Sequence, residues 1–304
     1  RQPNRPKQVV LWVDDRFSGP GRHQVGHYAA LVPELPEVET VRRQIQPLVS
    51  DMAILDAWAH PSAKFASAPD AVGHRISGVS RRGKYLLFGL EPLAAGSGDR
   101  LEMVVHLGMT GALFVDPAQP EDTHSRAWWL LEDGRHLWFR DVRRFGRTVV
   151  VPWGDHRSLP TLRDLGPEPF DPALTGITFH RALATSSRRI KTKLLSQRPI
   201  AGIGNIYADE ALWRSGIHPG ARRLGPQRSE RLLGHLRDVL GEALDHGGTT
   251  LRDYRTPDGG SGRNQHRLDC YGRSGQPCRS CGDLLTSRAM DQRTTTWCPS
   301  CQAR

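Results

Sequence analysis

The chain has 304 residues and a formal net charge of +10, with a pI near 9.9, a balance that points to a polyanion partner and says nothing about fold. Its length suits two domains of ordinary size, and no apolar run is long enough to span a bilayer. Of the five cysteines, four gather at Cys278, Cys281, Cys298 and Cys301, which is not the pattern of a secreted disulfide framework.

Residues 1–32 carry neither a helical nor a strand period. One short apolar run, Val9 to Val13, stands among scattered Arg, Pro, Gly, Asp and His. The run is too short for a secretory signal, and Asp14-Asp15 argues against a transit peptide. The segment is read as an upstream stretch translated by mistake, with Val32 standing for a GTG start codon.

The octet that follows, Pro33-Glu34-Leu35-Pro36-Glu37-Val38-Glu39-Thr40, opens a helix. Pro36 suits a first turn, where a missing N–H costs nothing. Glu37 and Glu39 sit where the helix dipole favours negative charge. Val38, Val41, Ile45 and Leu48 then line one face of a helix ending near Val49. Pro33 and Glu34 fall just ahead of it, against its positive end.

Strands come next. Ile76 to Arg81, Tyr85 to Leu90, Leu101 to His106, Trp129 to Leu131, His136 to Arg140 and Arg147 to Val151 are short β-branched or aromatic runs. Asp133-Gly134 between two of them is a strong hairpin signal. Many short strands with such turns read as a sandwich or barrel, closing near Trp153. From about Pro160 the period turns helical: a region from Phe179 to Leu195, a glycine turn at Gly202-Ile203-Gly204 with Asn205 as N-cap, and Gly216 at a C′ position. A long amphipathic helix through Leu232, Leu236, Val239, Leu240, Ala243 and Leu244 stops at Gly247-Gly248. Pro257 to Gly262 reads as a flexible loop.

The tail spaces Cys278-x2-Cys281 and Cys298-x2-Cys301 as two tight turns, which suits a tetrahedral Zn²⁺ better than two disulfides. Four protein sulfurs leave no position for water, so such a metal is structural. Cys270 reads as a packed thiol. Gln292 to Trp297 has a strand-like composition, so the metal clips a hairpin that holds up Arg293. Elsewhere, a helix N-terminus behind Gly202-Ile203-Gly204 would offer free N–H groups to a phosphate. On their own, Lys84 reads as a solvated base at a strand start, and Met109 and Phe145 as core residues.

Six motifs in order, from Pro33 to Gln302, resemble the formamidopyrimidine-DNA glycosylase family. They are the octet, Arg81-Arg82-Gly83-Lys84-Tyr85, His106-Leu107-Gly108-Met109-Thr110-Gly111, Asp141-Val142-Arg143-Arg144-Phe145-Gly146, Gly202-Ile203-Gly204-Asn205-Ile206-Tyr207 and the cysteine tail. The resemblance implies an α+β protein: an N-terminal β-sandwich with a leading helix (33–155), a helix–two-turn–helix domain (156–256), and a lesion loop with a zinc β-hairpin finger (257–304). It implies a bifunctional glycosylase and AP lyase that removes oxidised purines from double-stranded DNA, acting as a monomer in the bacterial cytoplasm with one structural Zn²⁺. Pro33 would be the nucleophile, Glu34 the general acid/base, Lys84 a proton-transfer residue, and Arg293 the phosphate contact that assists δ-elimination. Met109, Arg143 and Phe145 would fill the space left by a flipped base, and His124, Lys191 and Asn205 would contact DNA. Leu35 favours this branch over the sister endonuclease VIII-like enzymes for oxidised pyrimidines. Gly262-Arg263-Asn264-Gln265 departs from the family, which more often has an aromatic before the Gln. An internal proline nitrogen is an amide with no usable lone pair, so an inert DNA-binding protein follows if Pro33 stays internal.

Overall fold

The computed structural model describes residues 32–94, 98–118, 122–250 and 260–303. The apolar run at Val9 to Val13 and residues 257–259 of the loop from Pro257 lie outside these residues. A leading helix, α1 (Leu35–Val49), begins after the N-cap Glu34, carries Pro36 in its first turn, and buries Leu35, Val38, Val41, Ile45 and Val49. Leu48, expected on that face, is 38% exposed, and Val49 takes its place.

Eight strands follow: β1 (Ile54–Ala59), β2 (His74–Arg82), β3 (Tyr85–Pro92), β4 (Leu101–His106), β5 (Gly111–Asp116), β6 (Ser125–Leu131), β7 (His136–Asp141) and β8 (Arg147–Pro152). They form two antiparallel four-stranded sheets, ordered β1-β6-β7-β5 and β2-β3-β4-β8. Inward residues of both sheets, among them Ile76, Leu86, Phe88, Trp129, Leu137 and Phe139, share one core with Val38, Val41 and Ile45 of α1. The sandwich expectation holds, with β1 and β5 added to the strands legible in the sequence.

The second half is helical: α2 (Pro160–Arg163), α3 (Gly176–Ala184), α4 (Ile190–Leu195), α5 (Asn205–Arg214) and α6 (Pro226–Asp245). The single helical region expected from Phe179 to Leu195 is two helices, α3 and α4. Gly204, not Asn205, is the N-cap of α5. Leu35 of α1 belongs to the core of this half, packed with Ile203, Ile206 and Tyr207, so the first helix is shared between the two units. The tail forms a hairpin, β9 (Thr286–Met290) with β10 (Arg293–Trp297), in register from Arg293–Met290 to Trp297–Thr286. Among the described residues no helix is long and apolar enough to cross a membrane.

Candidate active site

Glu34 is the centre of the site. Its side chain is buried and reaches the N-terminus of α5, where it accepts the N–H of Gly204 at 2.7 Å, Ile206 at 2.8 Å and Tyr207 at 3.4 Å. A helix start leaves its first N–H groups without intrahelical partners. Here they are given to a carboxylate 170 residues away, so the α5 terminus expected to bind phosphate is already occupied. Gly204 makes this possible, since a Cβ there would stand 2.3 Å from Glu34 Cδ.

Behind Glu34 lies a second buried carboxyl, Glu37. Its Oε2 accepts the Glu34 N–H at 2.9 Å. Its Oε1 accepts the Tyr207 hydroxyl at 2.6 Å and the Thr249 N–H at 2.6 Å. Thr249 Oγ1 in turn meets Tyr207 Oη at 3.0 Å and accepts Asn264 Nδ2 at 2.9 Å. One network therefore ties Glu34 to residues on either side of the segment 251–259.

Burial dominates the electrostatics. It pushes the Glu34 carboxyl up to about 7, against the opposing pull of the Lys84 charge and with help from Glu37. Glu37 is raised by the same desolvation. Lys84, expected at a strand start, sits in the turn between β2 and β3 and is buried rather than solvated. Desolvation lowers its ammonium, Glu34 and Glu37 raise it, and Arg293 lowers it. Lys84 thus lies within electrostatic reach of both Glu34 and Arg293, with Pro33 one residue from Glu34. His106, its ring tilted against Tyr85 with centroids 4.7 Å apart, is held near 4 by burial and by the Lys84 and Arg147 charges. It is neutral near pH 7, and its Nδ1 accepts the Gly108 N–H at 3.1 Å.

Two loops carry the remaining group. Arg143 and Phe145 are exposed, with the Arg143 guanidinium 4.7 Å above the Phe145 ring and Phe145 49% exposed. Met109 is half-buried on the facing loop. Asp141 locks the two loops together: Oδ1 accepts Thr110 Oγ1 at 2.5 Å and Oδ2 accepts the Gly146 N–H at 2.7 Å. Thr110 Oγ1 also accepts the Arg143 N–H at 3.1 Å. Gly108 has φ +67°, and a Cβ there would stand 2.4 Å from Gly146 N, so only glycine allows this approach. His124 is half-buried at the start of β6, its N–H held by Asp122 Oδ1 at 2.7 Å.

Lys191 corrects the sequence reading. Expected as a phosphate or lesion-strand contact, its side chain is 3% exposed and paired with Asp209 at 2.6 Å. Nζ also donates to Thr295 Oγ1 at 2.9 Å and Thr294 O at 3.2 Å. A charge desolvated this far needs every one of these partners. Asn205, half-buried, donates Nδ2 to Thr294 O at 3.0 Å. Arg293, one residue before, is exposed.

Cys278, Cys281, Cys298 and Cys301 place their sulfurs within 4.8 Å of one another, at 4.0 Å for Cys278–Cys301 and 3.5 Å for Cys281–Cys298. A tetrahedron with Zn–S near ~2.3 Å has edges near ~3.8 Å, so the four sulfurs fit a zinc ion. Trp213 Nε1 donates to Cys278 Sγ at 3.3 Å, a hydrogen bond of the kind that orients a ligand. Cys270 is packed and fully buried, its thiol directed at Thr296 O at 3.2 Å.

Sequence reasoning missed Glu37, Tyr207, Thr249, Asp141 and Asp209 as parts of the site. Only Glu37 carried a local signal, at the third position of a helix whose cap is Glu34.

Residues 32–148 match the formamidopyrimidine-DNA glycosylase N-terminal domain, 165–255 the H2TH domain of the same glycosylases, and 275–304 a zinc finger found in FPG and IleRS. A formamidopyrimidine-DNA glycosylase of Thermus thermophilus is 46% identical over 275 residues, covering 89% of this chain and 98% of the relative. That of Deinococcus radiodurans is 42% identical over 277 residues, covering 89% and 97%. The crystal structure of the MutM (Fpg) protein from Thermus thermophilus superposes with a TM-score of 0.81 at 46% identity, covering 90% of this chain and 99% of that one. A Lactococcus lactis Fpg solved with abasic-site DNA gives 0.78 at 31% identity, covering 89% and 100%.

Proposed function

The chain belongs to the formamidopyrimidine-DNA glycosylase family, and on that premise we propose that Pro33, Glu34, Lys84 and Arg293 carry its chemistry. It is a DNA glycosylase and AP lyase of base-excision repair that acts on oxidised purines, with one structural zinc in its finger. The observation that carries the residue assignment is Glu34: a carboxyl raised to about 7 by burial against the pull of the Lys84 charge, fixed by three backbone N–H groups, and next in sequence to a proline. A group that titrates near the working pH can both give and take a proton.

Pro33, as a free secondary amine, attacks C1′ of the flipped sugar; the N–C1′ bond forms and the bond to the base breaks. Glu34 supplies the proton that the leaving base or ring oxygen takes; Pro33 loses its N–H proton and the C1′–O4′ bond breaks, which opens the ring and leaves an iminium. The iminium makes the C2′ proton acidic, so its loss expels the 3′ phosphate, and a second elimination expels the 5′ phosphate. Lys84 moves protons at the sugar. Arg293 reaches the phosphate beside the lesion. Zinc, bound by the four cysteines, holds the finger's shape and is not asked for chemistry. Met109, Arg143 and Phe145 occupy the stack once the base leaves, and His124 contacts the backbone. Residues 33–155 serve as the catalytic domain, 156–256 and 257–304 as the DNA-holding domain and finger. The protein acts as a monomer on duplex DNA with an oxidised base, in the bacterial cytoplasm.

Glu34→Gln separates the steps. Its base excision from an 8-oxoguanine duplex should fall by about 100-fold or more, as expected for a lost general acid. Strand cleavage at a pre-formed abasic site should fall much less. Equal losses in both would take Glu34 out of the proton-donor role.

A further inference from the structure

Lys191 and Asp209 form a buried ion pair that no step of the chemistry uses. The pair joins α4 to α5, and both of its members also hold β10. Lys191 Nζ bonds Thr295 Oγ1 and Thr294 O, while Asp209 Oδ2 accepts the Thr296 N–H at 3.0 Å. Thr295 Oγ1 donates onward to Arg293 O at 3.2 Å. From the ammonium to the main chain of Arg293 there are therefore two hydrogen bonds. Asn205 adds a further donor to Thr294 O. Three consecutive residues after Arg293 are thus pinned to the helical domain, whereas the opposite strand β9 has its central residues exposed.

A pair this buried contributes little net stability against apolar residues of the same shape. What it supplies is geometry: it sets the register and height of one strand, and that strand begins at Arg293. We propose that Lys191 and Asp209 are positioning residues for Arg293, which place its guanidinium for the second elimination rather than touch DNA themselves. This rests on the role given to Arg293 above.

The test uses the chain starting at Pro33, which spans the length of the relatives, on DNA with a pre-formed abasic site under single-turnover conditions. The readouts are the ratio of δ- to β-elimination product, borohydride trapping and zinc content. Asp209→Asn is nearly isosteric, and Lys191→Met with Asp209→Leu removes both charges together, so a fold failure in one does not end the experiment. In both, the δ to β ratio should drop about tenfold or more, as a misplacement near 1 Å allows. Trapping should stay within threefold and zinc at one per chain. Lys191→Arg should restore part of the ratio.

The decisive arm is Lys191→Met in an Arg293→Ala background. Because Lys191 acts through Arg293, the second substitution should change the ratio by less than twofold. An undiminished ratio in the zinc-loaded variants overturns the proposal, as does an additive loss in the Arg293→Ala background. A wild-type chain that forms no δ product at all instead removes the role given to Arg293.

Discussion

Gly204→Ala should disable base excision through sterics alone. At Gly204 φ is −125° and ψ −154°, extended backbone open to any residue, so alanine adds no backbone strain. Its Cβ, however, would stand 2.3 Å from Glu34 Cδ, 2.5 Å from Oε1 and 2.6 Å from Cγ. Ordinary carbon contacts are about 3.5 Å or more, so something must move by about 1 Å. If the carboxylate yields, it gives up the Gly204 and Ile206 N–H groups. Hydrogen bonds to a charged group contribute about 1.5–3 kcal/mol each, which makes the loss about 3–6 kcal/mol. If α5 yields instead, Ile206 and Tyr207 are pulled off Leu35 in a core with no slack. Thermal unfolding should register a fall of about 2–4 °C per kcal/mol, or roughly 6–24 °C. Single-turnover excision should slow about 100-fold or more, since the proton donor is misplaced by that distance. Glu34→Ala with Gly204→Ala is the control. With Glu34 cut back to its Cβ, the three atoms nearest the new methyl are gone and the double variant should match Glu34→Ala alone. Wild-type stability and rate in Gly204→Ala, or simple additivity in the double variant, would refute the reasoning.

The raised Glu34 carboxyl also has a signature in pH. Its folded value of about 7 lies above the unfolded one, so its contribution to stability is complete at low pH and is lost as pH rises through 7. The loss is worth up to about 3 kcal/mol; the stability of Glu34→Gln should lack this slope, and equal slopes in the two proteins would contradict the burial argument. Base excision should fall on the same limb, while cleavage at an abasic site should not. Removing zinc by chelation, or Cys298→Ser, should abolish DNA binding while near-UV signals of the sandwich tryptophans persist; a metal-free protein that binds a lesion duplex as tightly as the loaded one refutes this. Arg293→Ala should reduce the log–log salt slope of duplex binding by about 0.9, the value for one phosphate contact. An unchanged slope would remove Arg293 from the phosphate.

What the sequence disclosed was what is local. The cap, the proline in the first turn and the apolar face of α1 involve neighbours three or four residues apart, and each is visible in the octet. The Asp133-Gly134 hairpin and the cysteine spacing are equally short-range. The strands β1 and β5 are hidden because their burial does not alternate: β1 has a bulge after Ile54, its one buried residue, and β5 buries only Leu113. Lys84 and Lys191 look like any basic residue in sequence. Their burial comes from partners far along the chain; for Lys191 the partner Thr295 is 104 residues away. The Asn205 side chain suits a cap, but Gly204 takes the position since only it leaves room for Glu34.

The central claim is that Pro33 is the nucleophile, and the terminus tests it most directly. An acylated proline nitrogen cannot form or hold an iminium, whereas a free secondary amine can. Borohydride trapping on 8-oxoguanine duplex should compare the chain that starts at Pro33 with the 304-residue chain, with mass spectrometry of the adduct and of the intact protein. The chain starting at Pro33 should be trapped covalently with the sugar on Pro33. The 304-residue chain should bind the duplex and yield no adduct on Pro33. Equal trapping by an unprocessed 304-residue chain would contradict the claim and move the nucleophile to an amine elsewhere, with Lys84 the first to examine.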